Sequence, residues 1–221
     1  MPKRLLQVIR AAFYAALALQ PAAAPFVRAQ TPAAAATTLE RFVLVPGASR
    51  ASYAVDEVFF NENNRLFTAV GVTTAVTGAV LLDRSHPSNT RIPEIVVDLR
   101  PLESDSWRRD RALREKYLDT GRFPYARLSS IEMRAAPARI VDRQRFPLTL
   151  IGDLTLHGVT RRTEWRGQGE VAGDTLRGHA TAQVKMSAFD IEVPSLLSLR
   201  SEDDVKLEIR FIATKAQGRN P

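Results

Sequence analysis

The sequence predicts an all-β domain carrying one surface helix, and three observations predict it. Apolar and polar residues alternate with period two over most of the chain from Arg41 onward. Turn-forming residues recur between the alternating runs. One charged segment, free of Gly and Pro, breaks the alternation and carries helix-forming residues instead.

The clearest strand spans 205–213. Val205, Leu207, Ile209, Phe211 and Ala213 fall on one face, and Asp204, Lys206, Glu208, Arg210 and Thr214 on the other. Leu148, Leu150, Gly152, Leu154 and Leu156 form a second row. Ile95, Val97 and Leu99 form a third, against Glu94, Asp98 and Arg100. Further strands are expected at 41–45, 49–59, 66–71, 74–82, 129–134, 139–141 and 161–171. Turns are expected at Pro46-Gly47, 61–64, 86–89, His157-Gly158 and Gly173-Asp174. Residues 83–90 read as a polar loop, and Glu202-Asp203-Asp204 as a solvated turn before the last strand. Gly167-Gln168-Gly169 lies in a strand pattern and reads as a bend or bulge.

The run 176–186 has an inward row of Leu176, Gly178, Ala180, Ala182, Val184 and Met186. Small side chains in succession leave space on the buried face. That space is either filled by large partners such as Phe211 or kept as a cavity. Many short strands with short turns suit a barrel or a sandwich equally well.

The helix is expected over 104–119, capped by Ser104 or Ser106, terminated at Gly121 and followed by Pro124. Trp107, Leu113, Tyr117 and Leu118 are expected to face the protein in part. Arg108, Arg109 and Arg111 either form a solvated face, with Asp110 in a surface ion pair, or attract an anionic head group at a barrel mouth.

At 221 residues, 45% hydrophobic and 25% charged, the chain suits one sizeable domain. Its formal charge of +7 is unevenly placed. Lys3, Arg4, Arg10 and Arg28 lie within residues 1–29; the remainder has 27 basic against 24 acidic residues, which argues against a nucleic-acid surface. Residues 1–29 read as a cleavable export signal: a basic start, the apolar run AAFYAALAL at 11–19, and Val27-Arg28-Ala29 before the cut. The run is shorter than the roughly 20 residues that span a bilayer, so no stable membrane insertion is expected after cleavage. Residues 30–39 read as a disordered linker, 40–216 as the folded domain and 217–221 as a tail. The chain has no cysteine, so the fold has no disulfide.

Motifs for chemistry are absent. His86, His157 and His179 lie far apart with no HxxH or HxH, and no G-x-S-x-G or phosphate-cradling glycine loop occurs. No metal site, cofactor or catalytic residue is expected. A hidden hydrolase or isomerase would need His157 or His179 beside a carboxylate in a pocket.

Several motifs resemble the YceI-like family. Residues 151–161, IGDLTLHGVTR, match its G-D-L-T strand-turn-strand signature. Arg109-Asp110, Leu113 and the run 117–124, YLDTGRFP, resemble its R-D-x-x-L helix and exit. Ser187-Ala188-Phe189-Asp190-Ile191 and Val76-Thr77-Gly78 resemble its late and early segments, and the likeness runs from about Phe42 to Lys215. The resemblance implies a lipocalin-like, eight-stranded antiparallel β-barrel with a helix beside it, a periplasmic or secreted location and no established catalytic residues. It also implies a polyisoprenoid or other lipid-like ligand in an apolar tunnel. The early histidine of many members is missing: Glu57-Val58-Phe59-Phe60-Asn61 stands there.

The resulting expectation is an exported carrier, store or scavenger of an apolar ligand. Leu154, Leu156, Ala180, Ala182, Val184, Leu207, Ile209 and Phe211 would line the site. Arg108, Arg109 and Arg111 would face a head group. The competing expectation is an interaction or structural protein with a filled barrel, for which the resemblance implies a membrane redox protein as partner; a homodimer is open under either reading.

Overall fold

The computed structural model describes residues 39–60, 65–196 and 199–216. The expected signal, nearly all of the linker and the tail lie outside the described residues. Among the described residues eleven strands form one antiparallel sheet. They are β1 (Glu40–Leu44), β2 (Arg50–Phe59), β3 (Arg65–Thr73), β4 (Val76–Leu82), β5 (Ile92–Asp98), β6 (Tyr125–Ala135), β7 (Arg145–Leu156), β8 (Val159–Ala172), β9 (Thr175–Lys185), β10 (Ser195–Leu196) and β11 (Leu199–Lys215).

Eight of these close into a ring in the order β1-β4-β5-β6-β7-β8-β9-β11, and β11 pairs back onto β1 through Phe42↔Lys215 and Leu44↔Ala213. Closure leaves no open edge in the ring. β11 is long enough to serve two partners along one side: Arg210 and earlier residues pair with β2, and residues 213–215 with β1. β1 and β2 therefore lie nearly end to end, with a bend between them. Buried Ser49 makes that bend possible: its hydroxyl accepts the Ile212 amide and donates to the Ile212 carbonyl, both at 3.2 Å. The β2–β3 hairpin runs on beyond the ring.

Period two holds through the ring. Val205 and Ala213 are buried while Lys206 and Arg210 are exposed; Ala180 and Ala182 are buried while His179 and Gln183 are exposed. β7 and β8 are joined by a two-residue turn with φ of 51° at His157 and 77° at Gly158. Two successive positive φ values make the turn whose twist suits a tight hairpin.

Four expectations are corrected. The helix is shorter than 104–119: α1 covers Trp107–Ala112, capped by the Ser106 side chain, and one wide turn follows over Leu113–Tyr117. That turn closes at Leu118, and Asp119, with φ 42°, breaks the chain away in place of Gly121. Residues 139–141 are not a strand, because Ile140 is turned inward and its amide is taken by the Arg84 carbonyl at 2.8 Å. Glu202-Asp203-Asp204 belongs to β11, where the register shifts between Ser201 and Val205 absorb the acidic run. Gly167-Gln168-Gly169 pairs in unbroken register. The glycines are there for close approach: a Cβ on Gly167 would fall 1.8 Å from the His179 carbonyl oxygen, and one on Gly169 2.6 Å from Phe146 Cζ.

The two ends of the barrel are built differently. At one end Arg84 donates to Glu40 at 3.1 Å, to Asp142 at 3.3 Å and to the Gly173 carbonyl at 2.9 Å, tying together β1, the β6–β7 loop and the β8–β9 turn. The adjoining loop 83–90 is less solvated than its composition suggests. Asp83 is buried, accepting the amides of Ser85 and His86, and the His86 amide leads in holding its carboxyl below the usual range. At the other end lie the β2–β3 hairpin, α1 with its flanking segments, and the segment 186–194 before β10.

Candidate functional site

The inward rows enclose two apolar cavities, one behind the other. The larger, about 150 Å³, lies toward the hairpin end. Leu154 and Leu156 of β7, Val184 of β9, and Val205, Leu207 and Ile209 of β11 line it. Val55 and Tyr53 of β2, Leu102 and Leu118 from the helical segment, and Phe189 and Ile191 complete much of its wall. The smaller, about 70 Å³, lies toward the Arg84 end among Leu44, Leu82, Phe146, Leu176, Ala180 and Phe211. Ile95, Leu128, Trp165 and Ile209 border both.

Of the eight residues expected to line a site, five thus surround the larger cavity: Leu154, Leu156, Val184, Leu207 and Ile209. Ala180 and Phe211 border the smaller one, as does Ile209. Ala182 is buried in the same row but borders neither cavity, being packed in the core opposite Leu207. The small-residue row of β9 therefore has two fates. At Gly178 the space is filled by Phe211, whose Cζ would lie 2.8 Å from an added Cβ. At Val184 it stays open. Sequence pattern missed Trp165, Leu128 and Ile95 as shared walls, although each lies on an inward row of its own strand.

The arginines of α1 take separate positions. Arg109 is half-buried, reaches Glu57 of β2 at 3.3 Å, pairs with Asp105 and lies over the Phe67 ring. Burial works against its charge, but Glu57 and Asp105 outweigh it and hold the guanidinium above its ordinary pKa. Arg111 pairs with Glu115 on the exposed face, and Arg108 lies over the exposed Trp107 ring. Asp110 is not in a surface ion pair; it is buried and accepts the Ser104 amide at 2.9 Å and the Ser104 hydroxyl at 2.6 Å. The cluster thus pins the helical segment to the hairpin beside the larger cavity.

One polar atom on that wall stands apart. Tyr53 Oη is buried without a hydrogen-bond partner among the described residues, and burial pushes its phenol above the ordinary value. The ring lies across Gly71 on β3, where an added Cβ would meet Tyr53 Cε1 at 2.2 Å.

The histidines do not converge. His179 is exposed on β9. His157 packs edge-on against Phe123, ring centroids 4.9 Å apart, and its Nδ1 lies 3.3 Å from the Phe189 carbonyl oxygen. Among the described residues no three His, Asp or Glu side chains gather as metal ligands, and no helix is long and apolar enough to cross a membrane.

Residues 42–213 match the family model described as the YceI-like domain. A UPF0312 protein of Vibrio campbellii is 26% identical over 190 residues, covering 80% of this chain and 96% of that protein. UPF0312 protein VPA0850 of Vibrio parahaemolyticus is 27% identical over 180 residues, covering 75% and 89%. Among solved structures, a polyisoprenoid binding domain from Saccharophagus degradans, implicated in plant cell wall breakdown, superposes with a TM-score of 0.58 at 12% identity, covering 80% of this chain and 99% of that one. Burkholderia cenocepacia BcnA superposes with a TM-score of 0.59 at 16% identity, covering 77% and 99%. At these identities the likeness speaks to the fold.

Proposed function

The chain belongs to the YceI-like family, and on that premise we propose that it is a binding protein, not an enzyme, which holds an apolar chain of the lipid or polyisoprenoid class inside its barrel. One observation carries the reading: the larger cavity of about 150 Å³ is walled almost wholly by carbon. A dry apolar cavity of about this size accepts a small hydrocarbon ring. Such a wall recognises a chain by burial and shape, at about 25 cal/mol for each Å² of apolar surface withdrawn from water. The likeness in fold to a polyisoprenoid binding domain supports the ligand class. The signal read at residues 1–29 supports a periplasmic or secreted location, where the protein acts as carrier, store or scavenger.

The test is to extract the purified protein with organic solvent and analyse the extract by mass spectrometry, beside a Val184→Phe variant whose added ring occupies the larger cavity. Wild type is expected to release an apolar chain-bearing molecule, and the variant to release about tenfold less, as loss of a few buried methylenes requires. Equal recovery from both, or none from wild type, overturns the reading.

A further inference from the structure

Four inward side chains, Ile95, Leu128, Trp165 and Ile209, stand between the two cavities, and the largest of them is held in place from behind. Trp165 lies on the inward row of β8 and is 3% exposed. Its indole borders the larger cavity on one side and the smaller on the other. The ring is not free to turn: its Nε1–H donates to Thr163 Oγ1 at 2.9 Å, and that hydroxyl donates to the Gly152 carbonyl of β7 at 3.3 Å. A buried indole usually finds such a partner. Here the partner stands two residues back on the same strand and is anchored to the neighbouring one. The relay therefore fixes the height of the ring within the barrel. Beyond Trp165 the next inward residues of β8 are Gly167 and Gly169, which have no side chain of their own, and the Phe146 ring packs on Gly169 as part of the wall of the smaller cavity.

We infer that Trp165 is the stop that sets how deeply an apolar chain enters the barrel, and so how many of its units contribute to affinity. The inference rests on the proposed function and names the specificity-determining residue of that site. A chain threading the larger cavity gains about fourfold in affinity for each methylene it buries, the equivalent of roughly 0.8 kcal/mol. The gain ends where the chain meets the indole, since further length stays outside. Removing the indole joins the larger cavity to the space of about 70 Å³ beyond it, and one more isoprene unit then enters.

Calorimetric titration with geraniol, farnesol and geranylgeraniol tests this on wild type, Trp165→Leu and Thr163→Val. In wild type, affinity should rise with length and then level off. In Trp165→Leu the plateau should move to a prenol longer by one unit, with a gain of at least tenfold over wild type for that prenol. Thr163→Val keeps the side-chain shape and removes the hydrogen bond. It should soften the plateau by about threefold even if the leucine variant folds poorly. Plateaus at the same length in all three proteins overturn the stop while leaving the container reading intact. Failure of every prenol to bind any of the three overturns the container reading, and the stop with it.

Discussion

The two ends of the barrel use the same alternating rows to opposite effect. At the Arg84 end, aromatic rings fill the space left by glycines: Phe211 against Gly178 and Phe146 against Gly169. Charged side chains from three sequence-distant segments then tie the rim shut. At the hairpin end the row opens onto the larger cavity. The wall there includes a phenol with no partner among the described residues. Beside it, the outward face of β3 leaves Leu66 and Val70 exposed at 74% and 46%. One end spends more of its residues on close packing, which stabilises the fold and leaves only the smaller cavity of about 70 Å³. The other forgoes part of that stabilisation and keeps the larger cavity in its interior. Interiors packed to native density resist even one added methylene, whereas a wall beside a void does not.

The largest effect that divides the ends comes from adding a single carbon at each end of one row of β9. Gly178→Ala places a Cβ 2.3 Å from the Gln168 carbonyl oxygen and 2.8 Å from Phe211 Cζ, and backbone cannot yield cheaply. It should cost about 3 kcal/mol by overpacking. Val184→Ile adds the same carbon beside the larger cavity and should cost about 1 kcal/mol or less. Denaturant midpoints of the two variants measure the gap, and equal midpoints would show the ends to be packed alike. A smaller effect is expected from Arg84→Met, which keeps the stem and removes the ties to Glu40, Asp142 and Gly173. Arg84 and Glu40 are only partly exposed, so the loss should be about 2 kcal/mol, between the values for surface and buried pairs. A change below about 0.5 kcal/mol would reduce the clamp to ordinary surface pairing.

Much of the fold was legible because strand periodicity is a local property. Rows such as Val205 to Ala213 and Leu148 to Leu156 declare their faces without knowledge of any partner. The His157-Gly158 turn was legible for the same reason. Ring closure was not, since the β1–β11 pairing joins residues at opposite ends of the domain, and only the family motifs pointed to it. The site was half legible. The β9 row announced space, but whether Phe211 or a void occupied it depended on cross-strand register. Trp165 escaped notice because a buried tryptophan on an inward row looks the same in sequence whether it fills a core or divides a cavity. Asp110 was misjudged because flanking arginines suggested ion pairs, whereas the turn before α1 offered it the Ser104 amide and hydroxyl.

The smallest effect sharpens the comparison at the hairpin end alone. Tyr53 Oη is sealed from solvent with no partner among the described residues, and burial pushes the phenol above its ordinary value. Its ring is seated independently of the hydroxyl, across Gly71 on the neighbouring strand. Tyr53→Phe therefore keeps the packing and deletes only a buried donor that gains nothing from the fold. Leaving such a group unpaired costs about 1–3 kcal/mol, so the ligand-free variant should unfold at higher denaturant, by about 1 kcal/mol. A gain of stability would mark the hairpin end as a region where the folded state carries a cost that its packing does not recover. A loss would mean that the hydroxyl has a partner the fold depends on, and the contrast with the Arg84 end would then lie in the cavity alone.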